Sequence, residues 1–214
     1  MTPRGQSDTM KDGFRVLGID DGPFRFSREI SPPTGCGESN AKNTSDVLIA
    51  GVVCRVPGYV EMVLSDKVEI DGADASQKII GLIGRVRQRP LSAVFLDGLA
   101  VGGFNIVDMA RIFRETGVPV ITVTRDEPDI DAMKKALIGH FADWEKRLLL
   151  VTAAELHEVD TGHNPIYVSC TGIGIEEAKE IIAKSIIRGA MPEALRLAHM
   201  IAGGIVKGES SGKT

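Results

Sequence analysis

The sequence predicts a mixed α/β fold, and three observations carry that reading. β-branched runs dominate the stretch up to Ile70, the apolar period turns helical after Asp74, and short buried strands then alternate with helices. Antiparallel hairpins followed by β-α units give a mixed sheet with helices packed on it.

The elements follow in order. Residues 1–13 are polar and read as a disordered lead. Phe14–Ile19 is a short apolar strand that ends in the turn signal Asp20-Asp21-Gly22-Pro23. Residues 31–46, rich in Ser, Pro, Gly and Asn, read as a flexible connection. Val47–Cys54 and Tyr59–Ile70 form a hairpin around Arg55-Val56-Pro57-Gly58. Ile79, Leu82, Ile83 and Val86 mark a helix from Asp74 to about Arg89. Ala93–Leu96 is a buried strand ending at Asp97-Gly98. Ile106, Ala110 and Phe113 mark a second helix closing at Gly117. Val118–Val123 is a strand and Ile130 to about Phe141 a helix. Leu148–Val151, Glu155–Val159 and Ile166–Cys170 read as extended. Two helices finish the chain, Glu176–Arg188 and a last one from Pro192, a good first helical residue, to about Val206. No repeat and no second core are visible, so 14–206 is expected to be one domain with 207–214 as a disordered tail.

Composition narrows the function classes. With 214 residues, 43% hydrophobic, the chain can bury one sizeable core. Aromatics are only 5%, so that core must be built from Ile, Val, Leu and Ala. A net charge of -4 excludes a broad cationic field of the kind that binds duplexes non-specifically. A local basic patch is still open, with Lys78, Arg85, Arg87, Arg89, Lys134, Lys135, Lys146 and Arg147 as candidates, although such charges usually make a solvated helix face. Three widely spaced cysteines, Cys36, Cys54 and Cys170, argue against a disulfide framework or a zinc ribbon. No apolar run approaches the ~18–20 residues of a membrane span, and the first residues lack the apolar stretch of a signal peptide. A cytoplasmic protein without membrane contact is the expectation.

Three aspartates sit at element ends. Asp20 follows the first strand, Asp97 follows the fourth, and Asp74 opens the helix between them. If the first and fourth strands are neighbours, Asp20 and Asp97 share a crevice, and a helix crossing the sheet can bring Asp74 to it. Carboxylates so gathered repel unless a cation sits between them. Mg²⁺, or Mn²⁺ in its place, suits hard oxygen ligands and supports phosphodiester hydrolysis. The bland alternative is turn chemistry: Asp-Gly recurs at 21–22, 71–72 and 97–98, and Asp74 with Gln77 makes a helix capping box. Asp21 and Asp71 are second-rank candidates for the metal, while Asn105 and Asp108 read more simply as helix-start residues. The glycines between Gly98 and Gly103 would let a substrate backbone approach Asp97. His140, His157, His163 and His199 lack zinc-ligand spacing, and the nucleophile-elbow and phosphate-loop echoes in the last seven residues lack the flanking strand and helix.

Gly18-Ile19-Asp20, Val94-Phe95-Leu96-Asp97-Gly98 and Val120-Ile121-Thr122-Val123-Thr124-Arg125 resemble three consecutive motifs of endonuclease V. The likeness continues at Tyr167-Val168-Ser169, Glu176-Glu177-Ala178, Pro192-Glu193 and Arg196-Leu197-Ala198, in order over most of 14–206. LGIDDGPF, DGADAS and LDGLAVGGFNIVD resemble more closely an uncharacterised, largely archaeal family of endonuclease V homologues. The resemblance implies an RNase H-like fold, a mixed central sheet with helices on both faces. It also implies metal-dependent attack on a nucleic-acid phosphodiester near a deaminated base. By position it makes Asp20 and Asp97 metal ligands, sets Asp74 where the family has a metal-binding glutamate, and puts Arg125 in place of a lysine. Where endonuclease V has a histidine near a strand–helix junction, this chain reads Cys170-Thr171-Gly172. A metal-dependent nuclease acting on DNA or RNA is the leading expectation. A nucleic-acid-binding homologue without catalysis and a hydrolase of a small phosphorylated molecule are the competitors, and apolar helix surfaces would allow a homodimer.

Overall fold

The computed structural model describes residues 13–24, 46–86, 90–153 and 155–211. Expectations for 1–12, for most of the 31–46 connection, for Cys36, Arg87 and Arg89, and for the last three residues lie outside them. The strands are Arg15–Asp21 (β1), Asp46–Arg55 (β2), Tyr59–Glu69 (β3), Ala93–Asp97 (β4), Ala100–Val101 (β5), Asn105–Ile106 (β6), Val120–Thr124 (β7), His157–Val159 (β8) and Ile166–Thr171 (β9). The helices are Ala75–Gly84 (α1), Met109–Thr116 (α2), Ile130–His140 (α3), Trp144–Thr152 (α4), Ile175–Ser185 (α5) and Glu193–Lys207 (α6).

Seven strands make one mixed sheet in the order β3-β2-β1-β4-β7-β9-β8. β1, β4 and β7 run parallel; β2 and β3 continue antiparallel from β1, and β9 and β8 from β7. Alternation along the strands divides the core in two. Leu17, Ile19, Val94, Leu96 and Val120 face α1 and α2 through Ile79, Leu82 and Ile112. Val16, Phe95, Ile121, Val123 and Val168 face α5 and α6 through Ala178, Ile181, Ala194 and Ala198. Each large side chain buried this way contributes about 1.5–3 kcal/mol relative to exposure. The sheet is therefore covered by helices on both faces, as the resemblance implies.

One glycine sets the approach of the last helix. Gly18 has the strand parity of Val16, and a Cβ added there would overlap the backbone of Ala194 and Leu195. The absent side chain lets α6 lie directly on β1. From Ala194 to His199 a helix rises about 7.5 Å. From Gly18 to Asp20 a strand advances about 6.6 Å. Helix and strand thus deliver His199 and Asp20 to the same place.

Three local expectations need correction. Leu148–Val151 is helical, inside α4, because Asp143 and Arg147 pair one turn apart at 2.9 Å and Arg147 also donates to the carbonyls of Gly72 and Phe104. A four-residue apolar run does not distinguish strand from helix. Ile106 belongs to β6 rather than to α2, since Asp108 caps that helix by accepting the Arg111 N–H at 2.8 Å. The first helix stops at Gly84, short of Arg89.

Candidate metal centre

Parity decides which carboxylates meet. Gly18 pairs with Phe95 and Ile19 with Leu96 across β1 and β4. Asp20 and Asp97 therefore extend the rows of Gly18 and Phe95, both on the α6 face. Asp20, Asp97 and His199 each present one potential ligand atom, and these atoms lie within 4.8 Å of one another. His199 Nδ1 sits 2.7 Å from Asp20 Oδ2, and the other Asp20 oxygen accepts the Asp21 N–H at 2.8 Å.

The electrostatics of this cluster are strained in a telling direction. Asp20 is only 5% exposed. Burial, then the charges of Asp97 and Asp21, push its carboxyl up to about 8. Asp97 opens into a cavity walled by protein, and that desolvation raises its carboxyl too, while His199 and Arg125 pull it back. Two carboxylates that resist ionising together, with an imidazole beside them, are a donor set that a divalent cation would relieve. The cavity has a volume of about 910 Å³ and is lined further by Phe24, Arg125, Arg196 and Lys207. The chain after α6 contributes as well: Gly208 ends the helix in a left-handed turn, and Ser210 folds back against Gly203 to form part of the wall.

Asp74 does not join this cluster. It stands just before α1, which covers the opposite face of the sheet, but its side chain makes no capping bond to that helix, so the expected capping box with Gln77 does not form. Its Oδ1 is engaged at 2.7 Å by Asn105 Nδ2 and at 3.2 Å by the Glu69 N–H. The crossing that would have brought it to Asp20 requires α1 on the α6 face. Asn105, fully buried, also donates to the Glu69 carbonyl and accepts the Ala75 N–H. Asp71, at a φ of 57°, accepts the Phe104 N–H at 2.8 Å. Asp108 is the α2 cap. Asp21, one residue past Asp20, turns to the other face and accepts the Gly102 N–H at 2.7 Å, although it also borders the cavity. Gly102 is pressed onto Val47, where a Cβ would stand 2.7 Å from Val47 Cγ1. Gly102 thus serves the packing of the β5–β6 hairpin rather than the approach of a substrate.

A protein-family model described as endonuclease dU matches residues 12–206. The chain belongs to the endonuclease dU family. A UPF0215 protein of Pyrococcus horikoshii is 40% identical over 203 residues, 94% of this chain and 96% of that protein. Another, from Methanothermobacter thermautotrophicus, is 38% identical over 205 residues, 95% of this chain and 93% of its relative. The crystal structure of an Archaeoglobus fulgidus protein of unknown function superposes with a TM-score of 0.73 at 32% identity, over 90% of this chain and 98% of that one. Endonuclease V of Ciona intestinalis, solved with an inosine-containing DNA, superposes with a TM-score of 0.57 at 15% identity, over 92% and 87% of the two chains. The fold is therefore RNase H-like, the architecture of endonuclease V.

Within that fold, sequence reasoning missed His199. Its place could have been read from α6 itself. Ala194, Ala198 and Ala202 recur every four residues and mark a small-residue face for close packing on a strand, and His199 borders that face. Three of the basic candidates are engaged away from the cluster. Lys78 pairs with Asp66, Arg85 holds the Ser65 carbonyl, and Arg147 braces two loops, whereas Arg125, Arg196 and Lys207 surround the acidic cluster. Among the described residues no helix is long and apolar enough to cross a membrane.

Proposed function

We propose that this chain is a metal-dependent nuclease that hydrolyses a phosphodiester of DNA at deoxyuridine or a related deaminated base. One observation carries the reading: Asp20, Asp97 and His199 converge within 4.8 Å on one face of the sheet, beside a cavity edged by arginines. Membership of a family described as endonuclease dU supports the substrate class. Asp20 and Asp97 would hold Mg²⁺ or Mn²⁺, with His199 as third donor or as proton carrier. Such an ion supplies Lewis acidity at the phosphoryl oxygen and a more acidic water. With Nδ1 facing Asp20, the imidazole leaves Nε2 to accept the proton of the attacking water and to return it to the leaving oxygen as the P–O ester bond breaks. Arg125, exposed at the end of β7 and bordering the cavity, would hold a non-bridging phosphate oxygen.

The test is cleavage of labelled strands carrying uracil, inosine or only normal bases, with Mg²⁺, with Mn²⁺ and with EDTA. Cutting at or beside uracil that EDTA abolishes is the expected outcome. Purified, folded protein that binds these strands equally well in EDTA and cuts none of them would leave a binding protein in place of an enzyme.

A further inference from the structure

The cavity holding the acidic cluster does not end there. A second cavity of about 300 Å³ shares Asp97, Arg125, Arg196 and His199 with it. A third, of about 450 Å³, shares Arg125, Asp126, Met191 and Arg196 with the second, and neither Asp20 nor Asp97 borders it. Shared walls make the three one groove, which leads from the carboxylates past Arg125 and Arg196 to His163 and Arg188, the latter in the connection between α5 and α6.

Charge is sorted along this groove. The inner end gathers Asp20, Asp21, Asp97 and Glu209, with Arg125, Arg196 and Lys207 at its edge. The outer arm sets Arg125, Arg188 and Arg196 against the single acid Asp126. Arg196 is fixed in place, its guanidinium held by both Glu193 oxygens at 2.6 and 2.7 Å. Arg125 and Arg188 have no ion-pair partner among the described residues. On a chain of net charge -4, a concave arm with three guanidiniums, of which Arg188 has no ion-pair partner among the described residues, is a local reversal of the field. Guanidinium matches phosphate in geometry as well as charge. A small phosphorylated molecule reacting at the acidic cluster would leave this arm unused. A strand that continues past the reacting phosphodiester would fill it.

We infer that the outer arm is a track for the backbone of one nucleic-acid strand, with Arg188 gripping a phosphate that flanks the scissile one. The inference rests on the nuclease reading and adds to it that the strand is held on one side of the cut, through its backbone and without regard to base.

The experiment compares single strands with one deoxyuridine whose 5′ and 3′ flanks are lengthened separately, for wild type, Arg188→Glu and Arg188→Lys. In wild type, kcat/KM should rise roughly tenfold as the flank on one side grows, and each phosphate contact so gained should steepen the salt dependence by about 0.7 on the logarithmic scale for single strands. Arg188→Glu should collapse the ratio of long to short substrate to near one and flatten the salt slope, and Arg188→Lys should retain most of both. Mn²⁺ affinity and Tm measured on the same samples exclude a folding defect. A length gain that survives Arg188→Glu, or no gain from either flank, overturns the inference while leaving the nuclease reading intact. If wild type cuts no strand, the nuclease reading has failed, and the track is judged by anisotropy alone: equal affinity of wild type and Arg188→Glu for the long strand refutes it.

Discussion

At the end of β1 two neighbouring aspartates point to opposite faces of the sheet and meet different surroundings. On the α1 side, Asp21 takes the Gly102 N–H, Asp71 takes that of Phe104, and Asp74 is held by Asn105 and the Glu69 N–H. Each of these acids accepts from backbone or amide donors that would otherwise be orphaned. On the α6 side, buried Asp20 and the more open Asp97 face each other and a histidine, with a single backbone donor between them among the described residues and desolvation working against their charge. The contrast separates two uses of the same residue type. An acid matched to N–H donors holds a loop in shape, and an acid matched to another acid asks for a cation.

The sharpest way to break this comparison is Asp97→Asn. If the α6-side acids are chemical and not structural, the variant loses several kcal/mol of transition-state stabilisation, a fall of roughly 10²–10⁴-fold in kcat/KM. Its Tm should hold or rise, because removing one charge lets Asp20 ionise more easily. Cleavage kinetics and a thermal melt on the same preparation check both halves. A variant that stays fully active, or one that unfolds, would place Asp97 with the structural acids.

Next in size is the reverse experiment on the α1 side. Asn105→Ala removes the donors and the acceptor of a fully buried amide, leaves the Ala75 N–H without its partner, and strips one donor each from Asp74 and the Glu69 carbonyl. Buried groups stranded in this way cost about 1–3 kcal/mol each when not relieved by water, so a loss of about 2–4 kcal/mol in denaturant unfolding is expected. Activity per folded molecule should stay within about twofold. A large loss of kcat with unchanged stability would mean that the Asp74 network reaches the chemistry after all.

How far the sequence discloses this division depends on distance along the chain. Strand alternation and the motifs around Asp20 and Asp97 put each of them at the end of a strand, because parity is a local property of β1 and β4, while their meeting depended on the two strands being neighbours, as they are. Asp74 is different. Its partner set depends on which face α1 covers, and nothing between Asp74 and Arg85 encodes that choice. His199 was hidden for a related reason. Its tie is to a residue 179 positions earlier, through a helix whose approach depends on the missing side chain of Gly18. The arginines of the groove come from β7, from the α5–α6 connection and from α6, so they look scattered in sequence and meet only in space.

The smallest expected effect is the pH dependence of stability, and it bears on the α6 side alone. In an unfolded chain Asp20 would titrate near ~4, as free aspartate does. In the folded protein its carboxyl stands at about 8. The folded state thus binds more protons than the unfolded one between those values, so stability without metal falls as pH rises through that window and levels off above it. Asp97 is raised as well and adds with the same sign. Because neighbouring carboxyls share protonation, the fall should be on the order of 1–2 kcal/mol, or roughly 2–8 °C in Tm. Saturating Mn²⁺ must displace those protons to bind, so it should raise Tm more at pH 8 than at pH 5. Asp97→Asn should show a weaker pH dependence and a smaller Mn²⁺ effect, while Asp74→Asn should change neither. Melting curves at the two pH values, with and without Mn²⁺, decide it. A Mn²⁺ shift independent of pH, or one lost in Asp74→Asn, would move the cation to the other face of the sheet.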